Sequence, residues 1–225
     1  MKRLWPIVGL VAAGATVAWR QVVTPWHERW GATDDEVAMV LPGDELVADP
    51  AHQVTRAIAI EAPPEAAWPW IAQLGADRGG FYSYEWLENL FGLDIHNADE
   101  IVPEWQHRDV GDLVCADGKG SGGWYVMQVE PGQALVMLVG DVREGRPLRR
   151  DERLRWEFLW TFAVRPAHGG HSRLLVRERI GFGSTWSRLL MSPLGFVSFV
   201  MTRQTLRGIK ARAERTTAAR VSAGR

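Results

Sequence analysis

The sequence predicts one α+β domain: a curved antiparallel sheet wrapped around a long C-terminal helix, with two short helices after the first strand and an apolar helix at the N-terminus. Three observations predict it. A period-two strand over Val54–Ala62 runs into Pro63-Pro64 and then two helical stretches. Five strand-like runs follow between residues 113 and 182, separated by Gly- and Pro-containing breaks. One long helical pattern, roughly Thr185 to Arg215, closes the chain.

Composition sets the broad class. The 225 residues carry 46% hydrophobic and 24% charged side chains, enough apolar surface for one core without metals or disulfides. The formal net charge of -1 provides no global field for nucleic acid, which is not expected as a partner. Cys115 is the single cysteine, excluding an intrachain disulfide and a cysteine-based zinc cluster. No metal site and no cofactor is expected, because the most polar loop, "DIHNADE" at Asp94–Glu100, matches no ligand spacing. Twelve tryptophans against three tyrosines are unusual, and rings that large either fill a core or line a cavity.

At the N-terminus, Lys2 and Arg3 precede sixteen uncharged residues, Leu4 to Trp19, before Arg20. As a helix this run spans roughly 24 Å, so crossing the ~30 Å hydrocarbon core needs Gln21 to Thr24 as well, with Arg20 snorkelling. Trp5, Trp19 and Trp26 lie near the ends as interfacial aromatics do, and Lys2 and Arg3 favour a cytoplasmic N-terminus. Residues 1–23 are therefore expected to be a single-pass membrane anchor, with the domain extracytoplasmic. A cleaved signal peptide with Ala13-Gly14-Ala15 as its small-residue site, and a soluble helix packed on the domain, are the two rivals.

Residues 24–53, broken by Pro25, Gly31, Pro42, Gly43 and Pro50, read as an extended connector with a short helix near Asp34–Met39. The domain proper is expected over 54–215. In its first strand Val54, Arg56, Ile58 and Ile60 share one face, and Thr55, Ala57, Ala59 and Glu61 the other. Glu65–Leu74 forms the first helix, with Trp68, Ile71 and Leu74 on one side. Tyr82–Phe91 forms the second, with Ser83 as N-cap and Gly92 closing it. The later strands are Leu113–Ala116, Gly123–Glu130, Ala134–Gly140, Arg155–Arg165 and Arg173–Phe182. The long helix is expected to kink at Ser192-Pro193, and residues 216–225 to form a basic tail, either solvated or touching anionic lipid.

This order resembles the helix-grip (START-like, SRPBCC) superfamily, which includes lipid-transfer domains, polyketide cyclases and pollen-allergen-like proteins. The resemblance covers about residues 54–215 and rests on "TRAIAIEAPPEAAWPWIAQL", "GGFYSYEWLENLFG" and "SRLLVRERI". With "RWGATDDEV" upstream, the second motif looks like one bacterial subgroup with an apolar N-terminus. The resemblance implies a cavity between sheet and helix. It transfers no catalytic residue, because this fold hosts carriers, cyclases and regulators alike.

Several residues are candidate ligand contacts. Arg56 and Glu178 are charges in the apolar phase of their strands, Glu178 in step with Leu174, Val176 and Ile180. The resembled fold makes the first and last strands antiparallel neighbours, so the two are expected to pair inside. They would orient a polar group on an apolar ligand, or serve as an internal ion pair. Trp156, Phe158, Trp160 and Phe162 share one face of a strand, as cavity wall or core. Tyr82, Tyr84 and Trp86 follow Gly79-Gly80 near the expected mouth, as a gate or as packing on the sheet rim. The expected function is binding or carriage of a hydrophobic or amphipathic small molecule, lipid or polyketide-like, in an internal cavity at a membrane. The alternatives are a cyclase-, dehydratase- or hydrolase-type enzyme using Glu178, Tyr82, Tyr84 or His96 as acid or base, and a regulatory module binding a partner. The sequence leaves the catalytic residues and the oligomeric state open.

Overall fold

The computed structural model describes residues 19–141, 145–147, 156–182 and 194–223. The apolar run up to residue 18, the expected helix start at Thr185 and the kink at Ser192-Pro193 lie outside them. Seven strands form one sheet: β1 (His52–Ile60), β2 (Leu113–Cys115), β3 (Gly123–Glu130), β4 (Ala134–Asp141), β5 (Arg146–Pro147), β6 (Trp156–Ala167) and β7 (His171–Phe182). Their order is β1-β7-β6-β4-β3-β2, every pair antiparallel, with β5 on β4. The helices are α1 (Thr24–Glu28), entered through a π-helical turn at Trp19–Val23, α2 (Asp34–Ala38), α3 (Pro64–Ala72), α4 (Glu85–Leu90) and α5 (Leu194–Ala223). This is the expected α+β arrangement, an antiparallel sheet with a long C-terminal helix, and it is compatible with a helix-grip fold. Among the described residues no helix is long and apolar enough to cross a membrane.

The inner face of the sheet follows the alternation read from sequence. Ile60, Leu135, Met137, Phe162, Val164, Leu174 and Val176 bury one continuous core against Trp70 and Ile71 of α3, Leu74 just beyond it, and Leu206, Ile209 and Ala213 of α5. Each large apolar side chain so buried contributes about 1.5–3 kcal/mol. The closest approach of α5 requires Gly208, where a Cβ would fall 2.4 Å from the Tyr82 carbonyl oxygen.

The outer face corrects the expectation of an extended connector. Residues 29–48 fold back over the sheet, with Leu41 against Ala57, Ala163 and Leu175, and Val47 against Val136, Leu138 and Leu159. The outward phase of β7 carries Arg173, Leu175, Arg177 and Arg179. The guanidinium groups bond the backbone laid over them. Arg177 is 1% exposed, yet its donors are well supplied. Nε bonds Thr55 Oγ1, Nη1 bonds Met39 O and Asp44 Oδ2, and Nη2 bonds Glu36 O and Val37 O. Arg179 adds bonds to Val47 O and Ala48 O.

α2 starts with a capping box, the Thr33 hydroxyl accepting from Glu36 N and the Glu36 carboxylate from Thr33 N. That carboxylate also pairs with Arg173 at 2.7 Å, and Arg173 holds it below the usual carboxylate range. A depressed folded-state pKa contributes stability above the unfolded-state pKa, and the contribution is lost as pH falls through the folded value. Glu36→Gln should therefore cost stability at neutral pH and progressively less in acid. Urea midpoints of both proteins across pH 7 to 3 check this; a difference that stays constant with pH would remove Glu36 from the acid response.

Two further boundaries differ from expectation. The second helix begins only at Glu85, because Tyr82 has φ +56° and donates its N–H to Asn97 Oδ1. Ser83 is not the N-cap; its hydroxyl bonds the Glu88 carboxylate. At the other end α5 continues to Ala223, so most of the expected tail is helix. Three of its cations are engaged: Lys210 with Ala59 O and Glu214, Arg212 and Arg215 with Asp99.

Candidate functional site

Strand register brings Arg56 and Glu178 together on the inner face. Val54 lies opposite Glu178 and Arg56 opposite Val176, so the two charges are diagonal neighbours. Arg56 Nη1 donates to Glu178 Oε1 at 2.8 Å, with the side chains 1% and 2% exposed. The hydroxyls of Thr202 and Ser198 on α5 donate to Oε1 and Oε2 at 2.8 and 2.7 Å. Arg56 Nε bonds His27 O at 2.9 Å, and its guanidinium lies 5.5 Å from the Phe199 ring centre. One carboxylate thus ties β1, β7 and α5 together, while Arg56 reaches α1. Both Glu178 oxygens carry protein donors, so the geometry is that of a clamp on α5. His27 packs on Phe196 and Phe199; burial, and then the Arg56 charge, hold its imidazole below the usual range.

Beside the clamp lies an aromatic wall. Trp160 sits opposite Glu178 on β7 and Met137 on β4, and its ring is 4.9 Å from Phe162. Phe81 stacks on Trp160 at 5.9 Å, and Trp124 of β3 approaches Trp160 at 5.2 Å and Phe158 at 6.1 Å. The indole N–H groups of Trp124 and Trp160 are both buried, and among the described residues neither has an acceptor. An orphan buried donor costs about 1–3 kcal/mol. Within the wall the two indoles are neighbours, their rings 5.2 Å apart.

The other candidates fall elsewhere. Phe162 and Val176 are buried at the centre of the core. Trp156 opens β6 opposite Phe182, and its side chain is outside the described residues. Tyr82 is 1% exposed, edge-on to Trp70, with Arg212 4.7 Å above its ring; burial pushes its hydroxyl pKa up. Tyr84 stands at the N-terminal boundary of α4 without a capping side-chain bond, and Trp86 points outward, 68% exposed. Gly79-Gly80 is no loose gate: Gly80 exchanges two backbone hydrogen bonds with Gly75, and a Cβ on it would meet Asn97 and the His96 carbonyl. His96 is a surface residue between Asp94 and Glu85, whose hydrogen bonds, Asp94's first, raise its pKa. Burial, with Asp77 adding, pushes the Cys115 thiol up to about 11, which keeps it protonated at neutral pH.

Sequence reading missed Phe81 and Trp124. Trp124 shares the inner face with Val126, but a bulge at Met127 shifts the register between Val126 and Gln128. The alternation along β3 is therefore broken, and no single phase identifies its inner residues. Among the described residues a cleft of ≈ 430 Å³ opens by Pro42, Pro64, Gln133 and Arg165, and one of ≈ 440 Å³ by Trp70, Ile101, Thr216 and Arg220. Neither is lined by the wall's aromatic residues.

The fold and the wall define a class: a single sheet-and-helix domain with an aromatic inner surface. No family model and no curated protein matches the chain. Solved structures similar to it include a protein from Arthrobacter aurescens, 17% identical over 80% of this chain and 92% of that one, with a TM-score of 0.42. Another, from Nitrosomonas europaea, is 12% identical over 78% and 99% with a TM-score of 0.44. A third, Ms6760 from Mycobacterium smegmatis, is 14% identical over 73% and 92% with a TM-score of 0.41.

Proposed function

We propose that the chain is a START-like binding or carrier protein for a hydrophobic or amphipathic small molecule, tethered to a membrane by its N-terminal apolar run. The observation that carries the binding role is the pair of buried, acceptor-free indole N–H groups of Trp124 and Trp160 within one aromatic wall. Indole donates and never accepts, so the ligand presents an oxygen acceptor such as a carbonyl, ether or hydroxyl on an otherwise apolar body. A carrier role fits better than catalysis. The buried carboxylate beside the wall, Glu178, spends both oxygens on Arg56, Ser198 and Thr202, and the Tyr82 hydroxyl is held protonated. The tether reading rests on the uncharged run Leu4–Trp19 and its flanking Lys2 and Arg3.

The test is mass spectrometry of organic extracts from the full chain purified in mild detergent. A specific oxygen-bearing apolar species is expected from the wild type. Trp124→Phe and Trp160→Phe keep the aromatic surface and remove one donor each. Each should lower retention by about fivefold, the equivalent of one hydrogen bond of about 1 kcal/mol. If the double variant retains the same species as well as wild type, the wall is not the binding surface. An extract with nothing above a detergent blank sinks the carrier reading.

A further inference from the structure

The π-helical turn Trp19–Val23, α1 and the first two turns of α5 meet at one end of the molecule and leave an apolar surface open. Trp19 lies 5.7 Å from Phe196, Trp26 5.1 Å from Phe199, and Phe196 5.8 Å from Phe199. Trp19, Val22, Trp26, Phe196 and Val197 are nevertheless 47%, 66%, 56%, 40% and 50% exposed. None of these five side chains is charged, and a soluble domain rarely leaves so many large apolar groups together in water. Beneath them the surface is rigidly founded, since Phe199 and His27 rest on the Arg56–Glu178 clamp.

We infer that this patch lies on a lipid bilayer, at the level of the headgroups, and orients the domain on the membrane. The inference rests on the tether reading. The uncharged run Leu4–Trp19 ends within the patch, Trp19 being its last residue. A bilayer that takes up this run must come at least to the level of Trp19, and Val22, Trp26, Phe196 and Val197 surround that point. Their chemistry fits the place, because tryptophan is enriched where hydrocarbon meets headgroups and aliphatic side chains gain by leaving water there. A second copy of the chain, or the chain's own N-terminal run folded back, would cover the same surface without lipid.

The test places one environment-sensitive nitrobenzoxadiazole label at a time on the full chain, in a Cys115→Ala background. Val197→Cys labels the patch. Val110→Cys labels a position 67% exposed beside β2, at the sheet edge opposite β1. The protein is reconstituted into phosphatidylcholine–phosphatidylglycerol vesicles with or without lipid spin-labelled near the headgroup. The expected result is a blue shift and loss of most fluorescence to the spin label at Val197→Cys, with neither at Val110→Cys. Vesicle association with no quenching at either position overturns the docking surface and leaves the tether standing. Failure to associate with vesicles removes both. A Val197→Cys label that is blue-shifted but not quenched means that protein covers the patch, and also overturns the inference.

Discussion

Glu178→Leu is expected to destabilise the protein by about 3–5 kcal/mol, because it strands the buried guanidinium of Arg56 without a counter-charge. It also removes the acceptor for the Ser198 and Thr202 hydroxyls, and with it the polar attachment of α5 to the sheet. Arg56→Met should cost a similar amount for the converse reason. The double variant Arg56→Met/Glu178→Leu leaves no charge to desolvate, so it should be markedly more stable than the sum of the singles implies. Urea unfolding of the four proteins gives the coupling energy directly. Additive losses would mean that the two residues act separately, and the clamp would have to be abandoned.

Arg177→Met is expected to have an effect of the same order, about 3–5 kcal/mol, with a local signature. Arg177 gathers carbonyls from Glu36, Val37 and Met39 and the carboxylate of Asp44, all on the segment that covers the outer face. Its loss should expose residues 29–48 to proteolysis before the sheet unfolds, because the inner core is untouched. Arg173→Met is the control: its partly exposed pair with Glu36 should cost about 1 kcal/mol or less. Limited proteolysis with mass-spectrometric mapping separates the two. If cleavage begins in the sheet, or both variants behave alike, Arg177 is not what fastens the segment.

The legible part of the fold was what local pattern encodes. Strands β1, β3, β4, β6 and β7 lie close to where alternation and Gly/Pro breaks put them, because a half-buried strand writes its period into the chain. The inner phase of β6 and the shared face of Arg56 and Glu178 were legible for the same reason. Trp124 was not, since the bulge at Met127 changes which residues of β3 face inward. The start of α4 was misread because Ser83 is an apt N-cap by type, while the left-handed backbone of Tyr82 is imposed from a distance by Asn97.

By itself, then, the sequence determined the α+β class, the order of elements and the side of each regular strand on which a residue falls. Only the tertiary structure decided what covers each side. Arg177 and Arg179 lie in the outward phase of β7, and it is the segment folded over them that supplies their acceptors. Glu178 read as a charge in a cavity and became a saturated clamp. The two orphan indoles lie on strands that are not adjacent in the sheet. Periodicity reports orientation along one element, whereas burial, pairing and hydrogen-bond satisfaction depend on groups supplied from residues far away in the chain.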